Sequence, residues 1–366
     1  MADSVVVFAG DIDADVAYVI KALSILNFDV ALVDGSTILG SGALSVYSGS
    51  HSRVAMVEAN GRSYSLDDQQ VSVWNRRNFY SPQDPGFNSP AEFEEARTNL
   101  FHATACLKSL LNGRNATNTW LANERYSVKT EQYQLAAQSG FCVPATLISN
   151  NPARIREFAR SLSRVCVKPF ASTNFNQGKP GANARVFTAT ILERLDEIDD
   201  SPLAAAPLIY QQMIEKTCDV RIAAFGDHAS GVMIPFDKND DPLDYKSSFN
   251  YLSKLRPVAL PDNIRSMVKS YLRQAGLGFA VFDFAVSETG DWWFLEANTA
   301  GRFTWMELFC EDVNLLWPFC FHLVGSDGNG HVAVADLPDM SFVVNEAEED
   351  PAIAKFVGEP VVVASG

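Results

Sequence analysis

A β-hairpin predicted between Val281 and Arg302 limits the folds open to this chain more than any other part of its sequence. Apolar side chains alternate with small or polar ones along its first half, residues 288–291 have the composition of a turn, and a second apolar run follows. Two such runs around a short polar segment predict two antiparallel strands joined by a loop. With residues 288–291 as the loop, Ser287 pairs with Trp292.

This register places two carboxylates on one face of the hairpin. Asp283 lies directly opposite Glu296, and Asn298 shares their face because side chains alternate along a strand. Like charges directly opposite each other destabilise a sheet, and aromatic neighbours make a carboxylate costly to remove from water. Mg²⁺ would offset this cost, because it prefers hard oxygen ligands and fills its shell with water and substrate phosphates. The hairpin therefore predicts either a magnesium and nucleotide site or a solvated strand face.

Length, charge and cysteine content limit the class of protein. The chain has 366 residues, of which 47% are hydrophobic, which is enough for two to three globular domains. Its net charge of −15 argues against nucleic acid and anionic membrane as partners, since both attract basic surfaces. The six cysteines form no C-x-x-C pair, so we expect reduced thiols. Without a signal peptide or a membrane-length apolar run, we expect a cytoplasmic protein that binds small molecules or proteins.

The chain opens with a β-α-β pattern: a strand over 5–8, a helix over 16–26 and a strand over 29–33. Neither a dinucleotide G-x-G-x-x-G motif nor a P-loop motif occurs in the sequence. Further patterns predict helices over 91–112, 126–139, 262–275 and 303–324, and strands over 142–149, 165–168, 208–214 and 219–225. The pattern weakens after Gly325, and the residues beyond it receive no assignment.

Lys168 ends a short apolar strand and precedes a loop of small and polar residues at 171–181. A lysine in this place can hold a phosphate as a point charge, with loop amides as further donors. The alternative is a surface lysine whose aliphatic stem lies along the strand.

Taken in order, these features resemble the ATP-grasp superfamily over roughly residues 126–320. The elements that carry the resemblance are Lys129, Lys168, the loop at 171–181, Gln211-Gln-Met-Ile-Glu215, Asp219-Val-Arg221, Asp283 and Glu296-x-Asn298. The spacing from Asp283 to Glu296 and on to Asn298 is the most specific of them. The resemblance implies an α/β (α+β ATP-grasp) fold with a Rossmann-like pre-ATP-grasp domain. The implied divisions are 1–125 for that domain, 126–208 and 209–325 for the two ATP-grasp lobes, and 326–366 for an extension of unknown role.

Within the superfamily, two segments look like the peptide ligases of graspetide (microviridin-type) pathways. These segments are Trp74-Asn-Arg-Arg77 and Asn298-Thr-Ala-Gly-Arg-Phe-Thr-Trp-Met-Glu307. The second typically reads N-P-x-G-Q-W-x-W-x-E in those enzymes, whereas here Thr299 replaces the proline and Arg302-Phe303 replaces Gln-Trp. These departures concern the substrate rather than the ATP site. Asp244-Tyr-Lys246 resembles a D-W-R element of some of these ligases, or is a solvated loop.

The resemblance also implies a role for each site residue. The metal ligands would be Asp283, Glu296 and Asn298, holding Mg²⁺ against the phosphates of ATP. Lys129 and Lys168 would contact the phosphates, and the loop at 171–181 would close as a lid. The adenine contacts would be the side chain of Gln211 and the backbone of Gln212, Met213 and Ile214. Asp219, or alternatively Glu215, would bind the ribose, with Asp219 preferred. Arg221 and Arg302 would stabilise charge on the transferring phosphoryl group, or else form structural ion pairs.

The implied chemistry is ligation through an acyl phosphate. In graspetide enzymes, the carboxylate and the attacking amine or hydroxyl belong to one ribosomal precursor peptide with a leader and a core, so the product is a side-chain ester or amide macrocycle. Homodimers are common among these relatives. One alternative is an ATP-grasp ligase that joins a free amino acid or small carboxylate to an amine. The other is a non-catalytic nucleotide-binding regulatory protein, against which the complete metal set argues.

Overall fold

The computed structural model describes most of the chain. The described residues are 2–10, 13–39, 43–50, 53–76, 84–111, 116–170, 174–175, 185–186, 189–192, 195–235, 251–325 and 336–357. None of the helices within these ranges is both long enough and apolar enough to cross a bilayer.

The strands and helices are numbered in chain order. The strands are β1 Ser4–Phe8, β2 Asp29–Val33, β3 Leu44–Ser48, β4 Arg53–Ala59, β5 Arg62–Ser65, β6 Val71–Asn75, β7 Ala116–Thr117, β8 Thr146–Ser149, β9 Val165–Lys168, β10 Asn174–Phe175, β11 Arg185–Val186, β12 Thr190–Ile191, β13 Leu208–Gln212, β14 Lys216–Phe225, β15 His228–Pro235, β16 Arg256–Pro257, β17 Phe279–Ser287 and β18 Trp292–Asn298. The helices are α1 Ala14–Ile25, α2 Gly35–Ile38, α3 Pro90–Leu110, α4 Trp120–Ser127, α5 Lys129–Gln138, α6 Pro152–Arg160, α7 Asp200–Ala204, α8 Asp262–Ala275, α9 Thr304–Leu308, α10 Leu316–Val324, α11 Met340–Glu349 and α12 Ala354–Val357.

The N-terminal part of the chain forms a parallel sheet in the order β2-β1-β6-β7. The predicted β-α-β opening is confirmed by β1, α1 and β2. The apolar run of β1 is fully buried, as expected for a central parallel strand covered on both faces. Helices α1, α10, α11 and α12 cover one face, while α3 and the antiparallel β3-β4-β5 sheet cover the other.

Two antiparallel sheets follow. The first has the order β12-β9-β13-β8 and packs against α6. The second has the order β16-β15-β14-β17-β18, and one of its faces packs against α4, α5 and α8 through a cluster of aromatic side chains. The strands β10 and β11 form a separate two-stranded ribbon.

The predicted hairpin is present as β17 and β18, with a local change of register. Its turn is one residue longer than predicted, because Val286 rather than Ser287 pairs with Trp292. A β-bulge at Leu295 then shifts the pairing by one residue in the opposite sense. Asp283 therefore lies opposite Glu296, as the sequence predicts.

Two predicted helices are each interrupted. The segment predicted as one helix over 126–139 divides at Val128, whose extended backbone ends α4 and begins α5. The segment predicted over 303–324 divides into α9 and α10, because the carboxylate of Glu307 accepts the N–H groups of Leu315 and Leu316 and so caps the second helix.

Beyond Gly325, α11 and α12 pack against α1.

Candidate functional site

One face of the five-stranded sheet brings the proposed metal ligands together with two cations. Glu296 accepts from Lys129 Nζ at 2.5 Å, and Asn298 Nδ2 lies 2.7 Å from Glu296 Oε1. On the adjacent strand, Arg221 Nη1 donates to both oxygens of Asp283 at 2.8 Å. Each carboxylate is thus neutralised by one cation, which offsets the repulsion expected of two acids opposite each other.

The bulge at Leu295 determines which side chains reach this face. Residues two apart on a regular strand share a face, so Phe294 and Glu296 would otherwise point to the same side. The extra residue directs Phe294 into the aromatic core, where its ring centroid lies 5.8 Å from that of Tyr271. Glu296 and Asn298 remain on the opposite face with Asp283, so one irregularity separates the core from the polar site.

The surroundings of Glu296 favour its charged form. Burial alone would raise its pKa, but the charge of Lys129 and hydrogen bonds from Lys129 and Asn298 outweigh burial and lower the pKa to about 2. The pKa of Lys129 is correspondingly raised, since the attraction of Glu296 exceeds the cost of its burial. The two groups form an ion pair at ordinary pH.

This ion pair predicts a pH dependence of stability. The pKa of Glu296 falls from 4.5 to about 2 on folding, so the unfolded chain binds more protons between these values. We expect the stability of the wild type relative to Glu296→Gln to be fully present above pH 4.5 and to decrease as the pH falls toward 2. The side chain is 34% exposed, so screening keeps the effect small. Thermal unfolding of both proteins without nucleotide or divalent metal tests this, and a pH-independent difference would contradict it.

A second polar cluster lies on the neighbouring four-stranded sheet. Lys168 Nζ donates to Gln211 Oε1 at 2.7 Å, and Gln211 Nε2 donates to Thr146 Oγ1 at 3.0 Å and to Tyr133 Oη at 3.3 Å. Gln211 is almost completely buried. The pairing of β13 with both β8 and β9 brings these side chains together.

Tyr133 links the two clusters and was missed by the sequence analysis. It follows Lys129 by about one turn of α5, so both side chains lie on the same face of that helix. Burial raises the pKa of the Tyr133 hydroxyl. The nearby Lys129 charge and the Gln211 hydrogen bond act on this pKa in the opposite direction and offset the rise only in part. The spacing within α5 could have identified Tyr133 once Lys129 was assigned to the site.

The backbone at 212–214 offers few free groups. The N–H groups of Gln212 and Met213 donate to the carbonyl oxygens of Ala145 and Arg164. Among the hydrogen bonds within the described ranges, the Ile214 N–H has no acceptor. The strand predicted over 208–214 ends at Gln212 in the structure, so Met213 and Ile214 lie in the connection to β14.

The preferred ribose ligand, Asp219, is buried and engaged. Lys216 Nζ donates to both of its carboxylate oxygens, at 2.8 and 2.6 Å, and both side chains are less than a tenth exposed. Glu215, the alternative, is 79% exposed and lies 4.0 Å from Arg164 Nη1. The contacts therefore favour Glu215 over Asp219 as the carboxylate accessible to a ligand.

The two proposed catalytic arginines differ in their environment. Arg221 is buried, whereas the side chain of Arg302 is exposed. The carbonyl oxygen of Arg302 accepts from Arg221 Nη2 at 3.2 Å and from Trp305 Nε1 at 3.3 Å. Arg221 also lies over the indole ring of Trp305, 5.9 Å from its centroid. The structure thus brings the Arg302 backbone, rather than its guanidinium, into contact with Arg221.

Three segments singled out in the sequence fall partly or wholly outside the described residues. The proposed lid at 171–181 is described only at Asn174 and Phe175, Arg77 is not described, and neither is Asp244-Tyr-Lys246.

The donor set on the sheet face fits Mg²⁺. It consists of two carboxylates and one side-chain amide, which are the hard ligands that this ion prefers. Within the described ranges, no three His, Cys, Asp or Glu side chains converge. A metal held here would take its remaining ligands from water and from a substrate, which is typical of Mg²⁺.

No protein-family model and no curated protein sequence matches this chain. Its fold, however, is similar to solved structures. The Chryseobacterium gregarium RiPP-associated ATP-grasp ligase, in complex with ADP and a leader and core peptide, aligns with a TM-score of 0.73 over 93% of this chain and 98% of its own, at 19% identity. Macrocyclase MdnC from Microcystis aeruginosa, bound with precursor peptide MdnA, gives a TM-score of 0.68 over 88% of this chain and 98% of its own, at 20% identity. Macrocyclase MdnB from the same organism gives 0.67 over 88% and 99%, at 20% identity.

At these identities the comparison establishes the fold. The chain has the ATP-grasp fold of these ligases, and the fold predicted from the sequence is confirmed.

Proposed function

We propose that this protein is an ATP- and Mg²⁺-dependent ligase that joins a carboxylate to an amine or hydroxyl within a ribosomal precursor peptide, closing ester or amide macrocycles. One observation carries the proposal: on an ATP-grasp fold, Asp283 and Glu296 face Arg221 and Lys129 on one strand surface. One similar structure is in complex with ADP and a leader and core peptide, and another is bound with a precursor peptide, which supports the same ligand classes for this chain. We place the protein in the cytoplasm, where ATP is available.

The nucleotide would be held between the two polar clusters. Lys168 and Lys129 supply positive charge for its phosphates. The N–H of Ile214, which has no acceptor among the described residues, and the nearby carbonyl of Gln212 match the acceptor and donor on the adenine edge. Gln211 would face the adenine amino group. Met213 is buried and would contribute apolar surface beside the adenine. Exposed Glu215 would accept from the ribose hydroxyls in place of Asp219.

Asp283, Glu296 and Asn298 would hold Mg²⁺. When bound, the ion supplies charge that neutralises the phosphates and stabilises the transferring phosphoryl group. Lys129 and Arg221 neutralise the charges of Glu296 and Asp283. The same two cations would also contact the anionic groups of a ligand bound beside them. Arg221 and Arg302 would stabilise negative charge during transfer.

The reaction would proceed in two displacements. A substrate carboxylate oxygen forms a bond to the γ-phosphorus of ATP, the bond to the bridging oxygen breaks, and ADP leaves. The amine or hydroxyl then attacks the acyl carbon, inorganic phosphate departs, and the nucleophile loses its proton. The protein contributes mainly position and charge, as in other phosphoryl transfers.

Mass spectrometry of a candidate precursor peptide encoded beside this gene tests the proposal. We expect the peptide, incubated with the protein, ATP and Mg²⁺, to lose one water per bond formed, with ADP released in equal amount. The Asp283→Asn variant serves as the negative control. A gain in mass from a second molecule would indicate an intermolecular ligase, and nucleotide binding without ADP release would indicate a regulatory protein. Either result would overturn the macrocyclase proposal.

A further inference from the structure

A buried charge cluster lies at one end of the N-terminal sheet, outside the candidate site. Arg76 donates through Nε to Asp13 at 3.0 Å and through Nη2 to Asp15 at 2.7 Å. The side chains of all three residues are at most 3% exposed. Charges buried this completely are costly unless their hydrogen bonds are well satisfied. The other hydrogen bonds of the cluster show which segment of the chain it holds in place.

The cluster is located where parallel α/β sheets usually bind ligands. Strand β1 pairs with β2 on one side and β6 on the other, so the strand order reverses at β1. Ligands of such sheets bind beyond the carboxyl ends of the strands at this reversal. Asp13 and Asp15 follow β1, and Arg76 directly follows β6. In this chain, the place is filled by residues 299–304, which we term the connecting loop; it runs from the end of β18 to the first residue of α9.

The hydrogen bonds between the cluster and the connecting loop are specific. Asp15 accepts from the backbone N–H of Phe303 at 3.1 Å, and from both the N–H and the hydroxyl of Thr304, at 3.3 and 2.5 Å. Arg76 Nη1 donates to the carbonyl oxygen of Gly301 at 2.9 Å. These bonds fix the backbone on both sides of Arg302.

The connecting loop is also held against the hairpin. A Cβ at Gly301 would lie 2.6 Å from Val281 Cβ and 3.0 Å from Asn298 Cβ, so only glycine permits this approach. Asn118 Nδ2 donates to the carbonyl oxygen of Thr299 at 3.1 Å. The loop therefore bridges the cluster and the strand that carries Glu296 and Asn298.

The path from the cluster to the metal ligands is then short. The carbonyl oxygen of Arg302 accepts from Arg221 Nη2, and Arg221 Nη1 holds both oxygens of Asp283. A displacement of the connecting loop would move the oxygen that orients the Arg221 guanidinium. The donors of a planar guanidinium have a fixed arrangement. Displacement of one acceptor of Arg221, the Arg302 carbonyl oxygen, therefore changes its hydrogen bonds to the other acceptor, Asp283.

We propose that Asp15 and Arg76 are positioning residues for the nucleotide site: they fix the connecting loop and, through the Arg302 carbonyl oxygen, hold Arg221 in register with Asp283. The inference rests on the proposed function insofar as Asp283 belongs to a nucleotide and metal site. It assigns to two residues at the end of the N-terminal sheet an effect on that site that acts through the connecting loop and Arg221.

Calorimetric titration with Mg²⁺ and the non-hydrolysable analogue AMPPNP tests the inference without the peptide substrate. We expect Asp15→Asn and the milder Thr304→Val to raise Kd by about 5- to 20-fold, in the range of couplings between residues in one hydrogen-bond network. Thr304→Ser keeps the hydroxyl and should bind nearly as the wild type does. Lys355→Met is the matched control, because it removes an ion pair between Asp34 of the same sheet region and α12 without touching the connecting loop.

Two further measurements separate positioning from a merely structural role. Hydrogen exchange of peptides covering residues 299–305 should be faster in Asp15→Asn and Thr304→Val than in the control. The Kd effect of Thr304→Val should largely disappear in an Arg221→Lys background, because lysine lacks the planar fork through which Arg221 contacts Asp283 and the Arg302 carbonyl together. An effect of full size in that background, or an unchanged Kd despite faster exchange, would overturn the inference.

The outcomes distinguish this inference from the proposed function. If the wild type does not bind Mg²⁺ with AMPPNP, the nucleotide site itself is wrong, and the positioning role fails with it. If the wild type binds and both variants bind equally well, only the positioning role fails. Should Asp15→Asn not fold, Thr304→Val decides, because loss of a hydroxyl from a shape-matched side chain leaves the charge cluster intact.

Discussion

Replacing Glu296 by glutamine is expected to lower ATP turnover by about two to three orders of magnitude while the protein remains folded. The substitution keeps the shape of the side chain but removes one of the two carboxylate ligands proposed for Mg²⁺. It also removes the partner of Lys129, whose Nζ lies 2.5 Å from Glu296 Oε2. Metal ions supply several kcal/mol of charge stabilisation, and each 1.4 kcal/mol is about a factor of ten in rate.

The measurement is steady-state ADP release at saturating ATP, repeated over a range of Mg²⁺ concentrations. Glu131→Gln is a matched control, because Glu131 lies on α5, as Lys129 does, and within the described part of the chain its ion-pair partner is the exposed Arg125. Surface pairs of this kind contribute little, so the control should retain its activity. Turnover within about threefold of the wild type for Glu296→Gln would remove Glu296 from the metal site.

Replacing Arg221 by lysine is expected to reduce turnover by about a hundredfold, with a smaller effect on nucleotide affinity. Lysine keeps the charge but loses the planar fork that contacts Asp283 and the Arg302 carbonyl together. Removing one well-placed donor to a developing negative charge commonly costs about a hundred- to thousandfold in rate. Comparing kcat with the Kd for Mg²⁺ and AMPPNP separates the effect on transfer from the effect on binding.

Arg265→Lys provides the comparison. Arg265 is on α8 and donates to the carbonyl oxygen of Ala229 on β15. Helix α8 packs against the same five-stranded sheet, but on the face opposite to Asp283. Its replacement should slightly lower the melting temperature and leave kcat unchanged. If Arg221→Lys behaves like this control, Arg221 has a structural role only.

The hairpin shows how local sequence can predict a site while missing its geometry. Alternation and turn composition predicted that Asp283 lies opposite Glu296, and the structure has this pair. The predicted pair of Ser287 with Trp292 is wrong, because the turn is longer by one residue. The bulge at Leu295 compensates for the longer turn, so the two deviations cancel at Asp283. A bulge adds a residue without altering composition, and nothing in the pattern of apolar side chains reveals it.

Contacts between distant parts of the chain were beyond prediction. The hydrogen bond from Phe303 N–H to Asp15 spans 288 residues, and neither residue type indicates a partner. The spacing from Gln211 leaves both Glu215 and Asp219 open as ribose ligands, but in the structure Lys216, three residues before Asp219, already engages both of its oxygens. Local spacing specifies which side chains can share a face, whereas tertiary packing decides which of them remain available to a ligand.

The packing of α11 and α12 against α1 affects when the N-terminal part of the chain can finish folding during synthesis. Apolar residues of α1, among them Val16 and Leu23, belong to the same buried cluster as Val343 and Phe356. The ribosome produces α11 and α12 more than three hundred residues after α1. Because nascent chains generally fold in the order in which they emerge, the N-terminal sheet must keep part of this apolar surface exposed until α11 and α12 have been synthesised. The time during which this surface is open to aggregation or to chaperone binding is therefore set by the number of residues between α1 and its covering helices, not by the folding speed of the N-terminal sheet.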